Sequence, residues 1–155
     1  MEEGGFDGLI TSMAALERLG LEGKASQKFD FEEIVPAAGQ GSLGIVGRKD
    51  DEKTSFLSEV SDEKARLESI CERAFLRELG LGCKAGAGVL ARAKGDEIKT
   101  LAVLHDLRGR HLAKLRGKDL VELGKKAARE VGNDWESLLD WLWAWCSRPI
   151  NTQSC

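Results

Sequence analysis

An amphipathic stripe that runs straight into a string of glycines and alanines constrains this chain more than any other feature: residues 72–88, ERAFLRELGLGCKAGAG. Leu67, Ile70, Cys71, Ala74 and Phe75 recur at i, i+3, i+4, i+7 and i+8, the spacing of one helix face. The helix is predicted to stop at Gly80, since glycine takes the left-handed cap conformation without a Cβ penalty. Past the cap, Gly82, Ala85, Gly86, Ala87 and Gly88 leave little bulk around Cys83, so a large group can reach its sulfur. Cys71 lies on the stripe and reads as a small buried hydrophobe. Lys84 and Arg77 stand where they can lower the Cys83 pKa, and the thiolate is the nucleophilic form. One cysteine with no assigned base is still a weak nucleophile signature, and on chemistry alone a functional Cys83 and an inert loop thiol both stand open.

After this loop the hydrophobic period changes to two. Residues 89–93, 98–105 and 110–115 read as three strands of an antiparallel meander, turned at Lys94-Gly95-Asp96 and at 107–109. Leu120, Leu123, Ala127 and Val131 then mark an amphipathic helix closed by Gly132. Asn133 and Glu136 form a capping-box pattern ahead of a last helix with Trp135, Leu138, Leu139, Leu142 and Cys146. That helix holds four tryptophans, whose spacing favours burial on a sheet, while Trp141 and Trp145 leave a partner contact open. Residues 54–146 are therefore expected to form an α+β domain, a three-stranded antiparallel sheet covered by helices, followed by a polar tail at 147–155.

The first fifty residues read differently. Phe6–Ile10 is expected to be a short buried strand, followed by a helix capped by Thr11 or Ser12 and stopped at Gly20. Such a strand and helix cannot bury their faces unaided and look like the end of a larger α/β domain. Gly39-Gln40-Gly41-Ser42-Leu43-Gly44 matches GxGxxG, yet a dinucleotide fingerprint must follow a buried strand and open a helix. Here Pro36 interrupts what precedes it, and Ile45-Val46-Gly47 favours a strand. A glycine hinge that lets backbone amides approach a ligand fits better. Farther on, Ser61 is the expected N-cap of the helix leading to Cys83.

The four cysteines form no CxxC pair, and only two histidines accompany them, which argues against both a disulfide scaffold and a metal site. No signal peptide or stretch of eighteen apolar residues is present, so a cytoplasmic chain with no membrane segment is expected. Residues 1–80 carry 10 basic and 17 acidic side chains and residues 81–155 carry 13 and 9, giving −7 and +4. This bias suits a polycarboxylate ligand or a solvated surface, and is too weak a basic stripe for nucleic acid.

Three stretches, in order, resemble the hydroxymethylbilane synthase (porphobilinogen deaminase) family. Residues 72–88 resemble its ERAFL helix and Leu-Glu-Gly-Gly-Cys loop. Residues 35–48, VPAAGQGSLGIVGR, resemble its Pro-Ala-x-Gly-Gln-Gly-x-Leu-Gly-Ile segment. Residues 7–20, DGLITSMAALERLG, resemble its strand and helix ending in Lys-Arg-Leu-Gly. The resemblance implies that Cys83 holds a dipyrromethane cofactor through a thioether, that Arg18 binds acetate or propionate carboxylates, and that Gln40, Gly41 and Ser42 lie near the cofactor. It implies condensation of porphobilinogen into hydroxymethylbilane for tetrapyrrole (heme) biosynthesis, the growing polypyrrole staying attached.

By the same resemblance, residues 1–33 are the terminal strand and helix of a second domain of periplasmic-binding-protein-like α/β type. Residues 34–53 cross back to the first domain, and 54–146 form the C-terminal cofactor-anchoring domain. Two departures stand out. Lys84-Ala85-Gly86-Ala87-Gly88 replaces the family's Gln-Val-Pro-Ile-Gly, which implies a looser loop. The family's catalytic aspartate and Ser-Ser-x-Arg-Arg cluster have no counterpart here, so no catalytic residue is assigned in this chain and an N-terminal half is the implied partner. The competing reading is a non-catalytic binding or assembly module on the same fold.

Overall fold

The computed structural model describes residues 4–48, 52–80, 86–106 and 109–132. They divide into two compact units between Asp30 and Phe31. The expected last helix with its tryptophans, the tail, and the loop bearing Cys83 lie outside the described residues.

In the first unit, α1 (Met13–Leu19) is capped by Ser12, whose hydroxyl accepts from the Ala15 N–H at 3.2 Å. Gly20 ends it at φ 65°, in the left-handed region, with its N–H on the Glu17 carbonyl. A single 3-10 turn, Glu22–Lys24, follows. The expected buried strand at Phe6–Ile10 is not formed: these residues have no sheet partner among those described, and Phe6 is 80% exposed. Its apolar run predicts burial, but a strand must hand its N–H and C=O groups to a neighbouring strand, and none lies beside it among the described residues.

The second unit is an antiparallel sheet in the order β1 (Gly86–Lys94), β2 (Glu97–Asp106), β3 (Gly109–Gly117). Helices α2 (Glu63–Leu79) and α3 (Leu120–Val131) pack on it. The core joins Phe75 and Leu79 of α2, Val89, Ala102, Leu104 and Ala113 of the sheet, and Ala127, Ala128 and Val131 of α3. A second cluster holds Cys71, Ala91, Ile98 and Leu123. Alternation explains which residues these are: Val89, Ala91, Ala102, Leu104 and Ala113 all point to the helical side of the pleat.

The helices touch almost backbone to backbone. A Cβ on Gly124 would stand 2.3 Å from the Cys71 carbonyl oxygen and 2.9 Å from the Ala74 Cβ, so only glycine lets α3 come this close to α2. Two expectations shift. The N-cap of α2 is Asp62, which accepts from the Ala65 N–H at 3.1 Å, rather than Ser61. Ile45 and Val46 are exposed and form no strand, since among the described residues no strand lies beside them to pair with. A 3-10 helix, Glu52–Ser58, leads toward α2.

Candidate functional site

The Gly39-Gln40-Gly41-Ser42 stretch forms two consecutive turns and opens no helix. The Gln40 N–H donates to the Ala37 carbonyl at 3.1 Å and the Ser42 N–H to the Gly39 carbonyl at 3.0 Å. The Gln40 side chain folds back so that its Oε1 accepts from the Ala37 N–H at 3.1 Å. Gly39 and Gly41 lie at φ 72° and 85°, where side chains are strained, which is why glycine flanks Gln40 on both sides. A dinucleotide fingerprint needs a helix N-terminus for its pyrophosphate, and this geometry lacks one.

The segment leading into these turns lies along the outer edge of β1. The Val89 N–H donates to the Pro36 carbonyl at 2.9 Å. A Cβ on Gly88 would stand 2.5 Å from the Val35 carbonyl oxygen, so the segment can lie this close only because residue 88 is glycine. The next two outward N–H groups of this edge go to α2: Ala91 donates to Glu72 Oε1 at 2.8 Å, and Ala93 to Glu68 Oε1 at 2.9 Å. Two glutamates one helical turn apart thus serve, with Pro36, as the acceptors a fourth strand would provide. Glu72 is 6% exposed, and its other oxygen accepts from the Gly39 N–H at 2.7 Å. One buried carboxylate therefore holds both the GQG turn and β1.

Between residues 33–35 and the start of the sheet lies a cavity of about 260 Å³, lined also by Gly86, Ala87, Gly88, Val103, His105 and Arg110. The Arg110 guanidinium donates to the Glu32 carbonyl, and the Lys114 ammonium pairs with the Glu32 carboxylate at 2.5 Å. Two cationic side chains of β3 thus tie Glu32 to the sheet.

Of the residues singled out in the sequence, Gln40, Gly41 and Ser42 come together in one exposed turn. Arg18 is exposed in the last turn of α1, in the other unit. Cys83 and Lys84 lie outside the described residues; the described residues on either side are Gly80, which caps α2 at φ 61°, and Gly86, paired with His105. Cys71 is fully buried, its Sγ 3.4 Å from Thr100 Oγ1, and burial pushes its thiol pKa up. Glu68 and Glu72 were not singled out. Their signal was available: 68, 72, 75 and 79 fall on one stripe with Phe75 and Leu79, so the glutamates point to packed structure.

Comparison with known proteins bears on this arrangement. Residues 1–56 match the family model described as porphobilinogen deaminase, dipyromethane cofactor binding domain, and residues 66–133 match that of the porphobilinogen deaminase C-terminal domain. A probable porphobilinogen deaminase of Methanopyrus kandleri is 42% identical over 135 residues, covering 83% of this chain and 45% of the relative. That of Methanothermobacter thermautotrophicus is 38% identical over 133 residues, covering 83% of this chain and 46% of the relative. A porphobilinogen deaminase of a Roseiflexus species is 35% identical over 135 residues, covering 84% and 45%. The chain spans about half the length of the curated relatives it matches.

Proposed function

Since the chain belongs to the porphobilinogen deaminase family, we propose that it is the C-terminal part of a hydroxymethylbilane synthase, a transferase of tetrapyrrole biosynthesis. In this reading Cys83 carries dipyrromethane by a thioether. Residues 1–33 end a periplasmic-binding-protein-like α/β domain, 34–53 cross back, 54–146 anchor the cofactor, and an N-terminal half supplies the proton-transfer group and most carboxylate-binding arginines. The setting is cytoplasmic; among the described residues no helix is long and apolar enough to cross a membrane.

One observation carries the proposal. The GQG turn is tied through Pro36 and Glu72 to β1, the strand that follows residues 81–85 in the sequence. The turn around Gln40 is thus held against a strand that begins three residues after Cys83 in the sequence. The turn also suits its proposed ligand: nothing lies within 4 Å of where a Cβ would stand on Gly39 or Gly41, so a flat, carboxylate-bearing pyrrole can approach the backbone. Dipyrromethane supplies the attachment point from which a pyrrole chain grows. This chain's part is to hold it at the Cys83 sulfur, present Gln40, Gly41 and Ser42 beside it, and offer the Arg18 guanidinium as a bidentate partner for acetate or propionate.

Co-expression with a matching N-terminal half tests this. Porphobilinogen should be converted to hydroxymethylbilane, and this chain should gain the mass of dipyrromethane. Cys83→Ser should abolish that mass while leaving the thermal transition in place. An adduct mapped to Cys71, Cys146 or Cys155, or turnover with no adduct, overturns the assignment. Folding without conversion or adduct supports the non-catalytic module instead.

A further inference from the structure

The Glu72 carboxylate has two acceptor oxygens and uses each on a different piece of backbone. Oε1 takes the Ala91 N–H of the edge strand at 2.8 Å, and Oε2 takes the Gly39 N–H of the turn at 2.7 Å. Capping a strand edge needs only one of these bonds, as Glu68 shows: its Oε1 takes the Ala93 N–H and its other oxygen goes to Arg92 at 3.2 Å. A carboxylate buried to 6% exposure needs its acceptors satisfied, and here both donors are amides rather than a cationic side chain. Movement of the turn away from β1 breaks one of the two bonds and leaves a buried oxygen without its donor.

We infer that Glu72 is a positioning residue, which sets the spacing between the Gly39-Gln40-Gly41 turn and β1, the strand that follows Cys83 in the sequence. The inference rests on the proposed role of Cys83 and adds a residue the resemblance does not assign. Only a carboxylate meets the requirement. A glutamine of the same size has one acceptor oxygen and one NH₂, so one backbone N–H is left facing a donor. An aspartate, one methylene shorter, spans from α2 to one amide rather than two.

The experiment compares the full chain with Glu72→Gln and Glu68→Gln, alone and co-expressed with an N-terminal half. Amide exchange followed by NMR should be faster by roughly tenfold or more at Gly39 or Ala91 in Glu72→Gln, with Phe75 in the middle of α2 unchanged. In Glu68→Gln only Ala93 should change. In the co-expressed protein given porphobilinogen, the initial rate of adduct formation on Cys83, read by intact mass, should fall roughly tenfold in Glu72→Gln and hold in Glu68→Gln. Where Glu72→Gln does not fold, judged by circular dichroism, Glu72→Asp takes its place with the same expected split. Unchanged exchange at both Gly39 and Ala91 overturns the inference. So does an adduct rate that is unchanged in Glu72→Gln or falls equally in Glu68→Gln, with the Cys83 reading left intact in each case. Absence of any adduct in the unsubstituted protein instead removes the Cys83 reading itself and, with it, the role assigned to Glu72.

Discussion

Cys71 and Glu72 are neighbours in sequence, are both buried, and differ in how they could be read. Cys71 sits on the apolar stripe, so its burial follows from periodicity. Glu72 is invisible to a count of apolar residues, because a carboxylate is normally assigned to solvent. Its partners, Gly39 and Ala91, lie 33 and 19 residues away, and no local rule connects them. The Cys71 thiol makes a prediction of its own. Burial raises its pKa above the ordinary 9.0, while the hydrogen bond with Thr100 works the other way. The folded thiol thus keeps its proton to higher pH than the unfolded one. Its contribution is fully present below the unfolded pKa and is lost as pH rises through the folded value. The alkaline fall in melting temperature between about pH 8 and pH 10 should be shallower in Cys71→Ala than in the parent chain. Equal slopes would show that other groups govern it. Gly124→Ala tests the helix contact: with 2.3 Å to the Cys71 carbonyl, the helices must separate, at a cost of about 1–3 kcal/mol in denaturant unfolding.

At the scale of elements, the sheet was the most legible part. Alternation located all three strands, with ends that differ by one to three residues from those observed, because β-hairpin signals are local. The strand expected at 6–10 is not formed, since an apolar run does not say whether partners are present. The meander also juxtaposes charges that no strand signal weighs. Arg92 pairs in register with Lys99, and Lys99 with Arg116, so three cations form a row across the sheet. Glu68 answers Arg92 from α2, which leaves Lys99 between two positive neighbours. Like charges directly opposite are unfavourable, and Lys99→Glu should stabilise the fold by about 0.2–1 kcal/mol, an effect that shrinks in high salt. No gain at low ionic strength would mean that the row is already relaxed by solvent.

For the whole molecule, the two units make different demands. The family and its three motifs were legible in the sequence, whereas the way the GQG turn is tied to α2 and β1 was not, because it depends on backbone donors at Val89, Ala91 and Gly39. In the chain expressed alone, amides of residues 6–12 should exchange near the rate of unstructured peptide, and those of β1, β2 and β3 should be slow. Strong protection of 6–12 in a verified monomer would contradict the exposure of Phe6, Leu9 and Ile10.

The close fit of residues 35 and 36 along β1 also decides where this polypeptide tolerates a cut. The C-terminal family match begins at residue 66, which invites trimming to the helices and sheet. Such a fragment would lack the carbonyl that receives the Val89 N–H, and it would lay bare Val103, which is 4% exposed and lines a cavity with Ile34 and Val35. An edge with a vacant donor beside a glycine notch is a template for a foreign strand. Light scattering should therefore find a fragment starting at residue 54 self-associating where one starting at residue 31 does not: the join that holds the site together is also what keeps the sheet from recruiting its neighbours.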